Sequence, residues 1–146
     1  MPLEHTNLEV LGAGVYWLAP GYDLQDGMAA IPEVKTLVLL VPLPGYQTDG
    51  IEHVKAAIIP ADPGDLSEDA AAHFLHLTSG REAPVVVASL PGALGAAFFK
   101  GVYLMANRDL RPDAMLKEIE PELEEAGSAR DEIIHRLIRL DIPALK

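Results

Sequence analysis

The 146-residue chain contains no cysteine. That absence excludes disulfide staples, thiolate metal sites and a thiol nucleophile. Basic residues are scarce as well: 11 Lys and Arg stand against 22 Asp and Glu, a formal net charge of -11. Such an acidic field repels nucleic acid backbones and anionic lipid, which are bound chiefly through basic patches. No nucleic acid and no membrane is expected as a partner, which leaves a small anion or a protein. Long hydrophobic runs are also lacking. The longest uncharged stretch, 83–99, is interrupted by Pro84, Pro91, Gly92 and Gly95, too broken for a spanning helix. The opening Met1-Pro-Leu-Glu-His has neither the basic nor the apolar region of a signal peptide. The expectation is one cytoplasmic domain over 1–146. A chain of this length buries roughly 70% of its unfolded surface and needs no metal or cofactor to hold a core.

What is present alternates short apolar runs with longer amphipathic stretches, the pattern of an α/β fold with a largely parallel sheet. Residues 14–18, with Val15, Tyr16 and Trp17, read as a strand after the turn-forming Gly12-Ala-Gly14. Residues 36–41 are solidly apolar and end at Pro42, as in a strand buried on both faces. Residues 54–59 close at Pro60, and 84–89, with three consecutive valines, give the strongest strand signal and the expected centre of the sheet. The predicted architecture is a four- to five-stranded, mostly parallel sheet flanked by helices.

Helices are predicted over 23–31 and, more firmly patterned, over 67–79. There Ser67 can cap, Glu68 and Asp69 suit the first turn, and Ala71, Phe74, Leu75 and Thr78 share a face. A third helix, 92–107, has no charge before Lys100. It should be buried on most sides, with Lys100 reaching out to solvent and the uncharged surface of 92–105 leaving room for a homodimer contact. Pro112 suits a first helical position, and the helix should run through Met115, Leu116 and Ile119 until Pro121 kinks or breaks it. Ser128-Ala-Arg-Asp131 resembles a capping box opening a last helix with Ile133, Ile134, Leu137, Ile138 and Leu140. Five carboxylates within 118–125 read as a solvated face. His73 and His76, with Asp69, lie on one side of their helix, but two histidines without further ligands do not make a metal site.

The informative segment is Val85-Val-Val-Ala-Ser89-Leu-Pro-Gly92-Ala-Leu-Gly95, a strand passing through a small glycine-containing loop into a helix. Unpaired amides and the helix dipole make such a start suited to anions. Tight packing alone would ask for the same glycines.

The order of elements from about 14 to 121 resembles the dual-specificity and tyrosine phosphatase superfamily. Gly14-Val-Tyr-Trp-Leu18 and Val34-Lys-Thr-Leu-Val-Leu-Leu are similar to its first strands. Gly50-Ile-Glu-His-Val-Lys-Ala-Ala-Ile-Ile-Pro60 is similar to the strand that leads to its general-acid loop, here holding Asp62 and Asp65. Gly101-Val-Tyr-Leu-Met105 and Leu110-Arg-Pro-Asp-Ala114 look like its A-Y-L-M helix and the L-S-P-x-x-A start of the next.

The resemblance implies a signature loop, H-C-x-x-G-x-x-R, whose register at Gly92 places Ala88 at the histidine, Ser89 at the cysteine and Gly95 at the arginine. Only the glycine is kept. In the family the cysteine is the thiolate nucleophile and the arginine grips two phosphate oxygens. A serine needs an adjacent base to replace that thiolate. An engineered cysteine-to-serine trap would account for Ser89 but not for Ala88 and Gly95. The expectation is a catalytically degenerate phosphatase-like protein, a binding or regulatory domain whose ligand loop is Ser89, Leu90, Gly92, Ala93, Leu94 and Gly95. The alternative is a hydrolase with a repurposed pocket that uses Ser89 and one of Asp62 or Asp65.

Overall fold

Val85, Val86 and Val87 are branched at Cβ, stiff, and fully buried, and they form the middle strand of the molecule. The computed structural model describes residues 8–12, 14–18, 33–41, 55–62, 64, 66–79, 83–89 and 93–145. Five strands, β1 (Leu8–Gly12), β2 (Val15–Leu18), β3 (Thr36–Val41), β4 (Lys55–Pro60) and β5 (Val85–Ser89), make one sheet in the order β1-β2-β5-β3-β4. β1 runs antiparallel to β2, and the other pairs are parallel. The mostly parallel sheet and its central valine strand are therefore as expected.

The helices are α1 (Glu68–Leu77), α2 (Ala96–Asn107), α3 (Pro112–Glu118), α4 (Glu120–Ala126), α5 (Arg130–Ile138) and the short α6 (Ile142–Leu145). Alternation along β5 divides the core in two. Val85 and Val87 join Trp17, Val38, Leu40, Phe74, Phe98 and Phe99 on the helical side, while Val86 and Ala88 join Leu18, Leu37, Leu39 and Val41 on the other. Phe99 lies between Phe74 and Phe98, with ring centroids 5.2 Å from each.

Several elements depart from the sequence reading. β1 was not expected: only Leu8 and Leu11 of its five residues are buried, so it carries no continuous apolar run. α2 starts at Ala96 rather than 92. Ser67 does cap α1, its Oγ accepting from the Ala70 amide at 3.1 Å. The capping box at Ser128 does not form. Gly127–Ala129 is a 3-10 turn after Gly127 takes a positive φ of 57°, and α5 opens at Arg130 without a side-chain cap. Ile133 and Leu137 face the core from α5, whereas Ile138 is exposed. The helix opened by Pro112 does break before Pro121: α3 ends at Glu118, Ile119 caps both helices, and Pro121 sits in the first turn of α4, where its missing N–H is harmless. The helix expected over 23–31 lies outside the described residues. Among them no helix is long and apolar enough to cross a membrane.

Helix α2 is buried from Ala96 through Ala106. Packed by its own chain all round, it has no uncharged face for a second copy, and Lys100 does not reach solvent. Its side chain is 2% exposed, with Nζ 2.8 Å from Glu9 Oε1 on β1 and 2.8 Å from Glu122 Oε1 on α4. The ammonium also stands 5.8 Å from the Trp17 ring centroid. Glu122 thus leaves the solvated acidic face. Burial pushes its carboxyl above the usual carboxylate range, outweighing the pull of Lys100. The tripod ties β1 and α4 to the central helix.

Removing the cation alone leaves Glu122 buried without a partner. Lys100→Met should therefore lower unfolding stability by about 3 kcal/mol or more, and adding Glu122→Leu should recover much of the loss. Urea denaturation of the two variants measures both.

Candidate functional site

The four parallel strands end together at Leu18, Ser89, Val41 and Pro60. Ligands of open parallel sheets bind beyond such carboxyl ends, where neighbouring connections part to opposite sides. β5 lies between β2 and β3. Ser89, its last residue, pairs with Leu40 across the sheet and is 8% exposed. Its Oγ is buried and, among the described residues, has no hydrogen-bond partner. Among the described residues no side chain bonds it to take its proton, and a hydroxyl without such a base is a weak nucleophile.

Beyond Ser89, residues Leu90 and Gly92 of the expected ligand loop lie outside the described residues. Ala93 is buried, Leu94 is 39% exposed, and Gly95 is buried at the cap position of α2. The chain tightens into the helix through Ala96 N–H donating to the Ala93 carbonyl at 3.2 Å and Phe98 N–H to that of Gly95 at 3.0 Å. No acidic residue occupies the first turn of α2, and no side chain caps it. The first turn of α2 therefore supplies no counter-charge of its own to the positive end of the helix dipole.

Gly95 is committed elsewhere. Its amide donates to the Ala61 carbonyl at 2.5 Å, and Ala61 in turn donates to Val41 at the end of β3 at 2.8 Å. The segment leaving β4 is thus laid against the start of α2. A Cβ at position 95 would fall inside van der Waals contact of the Ala61 carbonyl oxygen, 3.1 Å from its carbonyl carbon and 2.8 Å from Leu66 Cδ2. Two of these atoms are backbone, so the space is closed to any side chain while that segment is in place.

Asp62 follows Ala61 directly and is exposed; its Oδ2 accepts the Gly64 amide at 3.4 Å, the bond of a turn former. Asp65 lies outside the described residues. The structure therefore brings the Asp62 segment against the loop through Ala61 and Leu66, which sequence reading did not single out. It also missed Arg136 on α5, whose Nη1 donates to the Leu66 carbonyl while Nε bonds Glu132 at 2.8 Å. His73, His76 and Asp69 are exposed, and among the described residues no three metal-binding side chains cluster.

No protein-family model and no curated protein sequence matches the chain. Solved structures do. TpbA of P. aeruginosa superposes with a TM-score of 0.71 at 18% identity, over 97% of this chain and 89% of its own. The core catalytic domain of the PP-IP phosphatase SIW14 from S. cerevisiae gives 0.73 at 11%, over 95% and 88%. Tk-PTP in its active form gives 0.61 at 15%, over 92% and 98%. The chain has the protein tyrosine phosphatase fold. TpbA has also been solved with phosphotyrosine and SIW14 with citrate. In this chain Ser89 ends β5 and Gly95 stands at the cap position of α2.

The close approach sets a test of packing. Gly95→Ala forces a methyl against the Ala61 carbonyl and should cost about 1–3 kcal/mol, read as a lower urea midpoint at unchanged slope.

Proposed function

We propose that this chain is a catalytically degenerate member of the tyrosine and dual-specificity phosphatase class, serving as a binding or regulatory domain. The observation that carries the reading is the closed space at position 95. A guanidinium placed there would be the group to hold two oxygens of a transferring phosphoryl and offset its charge. At Gly95 the backbone of Ala61 and the side chain of Leu66 take up that space, and the amide is already bonded.

The nucleophile position points the same way. A thiolate is potent because the loop amides and helix dipole lower its pKa into the working range. The Ser89 hydroxyl ionises far above that range and needs a general base. Among the described residues its Oγ has no such partner. Asp62 is exposed and engaged in its own turn, and a proton donor is useful only beside a competent nucleophile. What the loop keeps is the uncapped positive end of α2 beside a buried hydroxyl, which suits recognition of an anionic group rather than its transfer.

The reading is tested with p-nitrophenyl phosphate and p-nitrophenyl acetate. Neither should be hydrolysed above the buffer rate, and Ser89→Cys alone should not confer turnover, since the arginine position stays closed. Hydrolysis of either compound that disappears in Ser89→Ala would overturn it in favour of the repurposed hydrolase.

A further inference from the structure

Exposed apolar side chains gather where the end of α2, the start of α3, the end of α5 and α6 meet. These helices border an open groove of about 390 Å³ whose lining is mainly apolar. Ile138, at 54%, is the most exposed large hydrophobic side chain among the described residues. Beside it lie the exposed Pro112 and Pro143 and the half-buried Leu110, Leu140 and Ile142, all of which offer surface to solvent. A single exposed isoleucine needs no explanation, whereas a contiguous apolar patch with a polar rim marks an interaction site.

Backbone bonds hold the groove in shape. Asp109 takes a left-handed φ of 52°, which closes α2 and lets the Leu110 amide donate to the Leu104 carbonyl at 3.4 Å. The Leu140 amide donates to the Leu137 carbonyl at 3.2 Å, and the Ala144 amide to that of Asp141 at 3.1 Å. Leu110, Leu140 and Ile142 are thereby fixed in place.

The charge of the groove has one sign. Asp109 and Asp141 line it, and among the described residues no basic side chain does. Arg139, next to Ile138 in sequence, lines the separate cleft at Ser67 and Glu68. Asp141 is exposed, and its carboxylate has no hydrogen-bond or ion-pair partner among the described residues. Two carboxylates on a molecule of net charge -11 disfavour a second copy of this chain or an anionic surface, and match a cationic partner.

We propose that this groove docks a short segment of a partner protein that carries aliphatic side chains between basic residues. The aliphatic side chains lie on Ile138, Leu110 and Ile142, and the flanking cations face Asp141 and Asp109. The proposal does not rest on the reading of the Ser89 loop, which contributes no residue to the groove.

A capped Lys-Leu-Leu-Lys peptide is the probe, with capped Glu-Leu-Leu-Glu in parallel, each titrated into the whole chain and followed by amide NMR. The basic peptide should give saturable shifts at Leu110, Ile138, Asp141 and Ile142, with a Kd below about 10 mM that rises when salt is raised to about 0.5 M. Ile138→Ser should weaken binding about tenfold and Asp141→Asn about two- to fivefold, neither lowering the melting temperature by more than about 3 °C. Glu125→Gln, exposed on α4, should leave binding unchanged. The proposal is overturned by absence of a saturable shift, by the acidic peptide binding as tightly as the basic one, or by unchanged affinity in Ile138→Ser or Asp141→Asn. Shifts centred on His135 and Arg139, or on Leu94 and Gly95, overturn it too. Sedimentation should find the free chain monomeric; a dimer that Ile138→Ser dissolves would assign the groove to a second copy and overturn the proposal as well.

Discussion

Where the Gly95 amide meets the Ala61 carbonyl, the segments that follow β5 and β4, two strands separated in the sheet by β3, come within 2.5 Å of each other. The loop's chemistry depends on this contact. It removes one donor from those that could face an anion at the start of α2. It requires glycine there, because any Cβ would strike the Ala61 backbone and Leu66. Leu66 is itself held from behind by Arg136, through its carbonyl. Position 95 thus has no room for a side chain, because that space belongs to another segment.

The same molecule spends its few cations on architecture. Lys100 is buried between Glu9 and Glu122, Arg130 is paired with Glu120, and Arg136 with Glu132. The Arg130 guanidinium holds the exposed Glu120 carboxyl below its ordinary range. Buried charge is costly to desolvate and is retained here with partners on separate elements, which fixes how β1, α2 and α4 meet. None of these cations is among the contacts made by Ser89 or Gly95 among the described residues.

Much of this was legible in the chain. Strands β3 and β5 are apolar on both faces and bounded by proline or serine, so local composition identified them, and the valine run correctly marked the centre of the sheet. The strand-to-helix passage after Ser89 was legible too, although α2 starts four residues later than Gly92. What escaped notice depends on distant partners. Lys100 was expected at the surface because its neighbours in sequence are apolar, whereas its carboxylates lie 91 and 22 residues away. β1 is an edge strand with only two buried side chains, and so lacked a period. The role of Gly95 as a contact point could not be read at all, since nothing near it announces that Ala61 folds against it.

The most direct measurement is hydrogen exchange at the Gly95 amide, with and without inorganic phosphate. An amide bonded to Ala61 should exchange slowly, with its protection unchanged when phosphate is added. Rapid exchange in the free protein, or loss of the protection when phosphate is added, would mean that this donor faces the loop's interior, and the account of a closed position 95 would be contradicted.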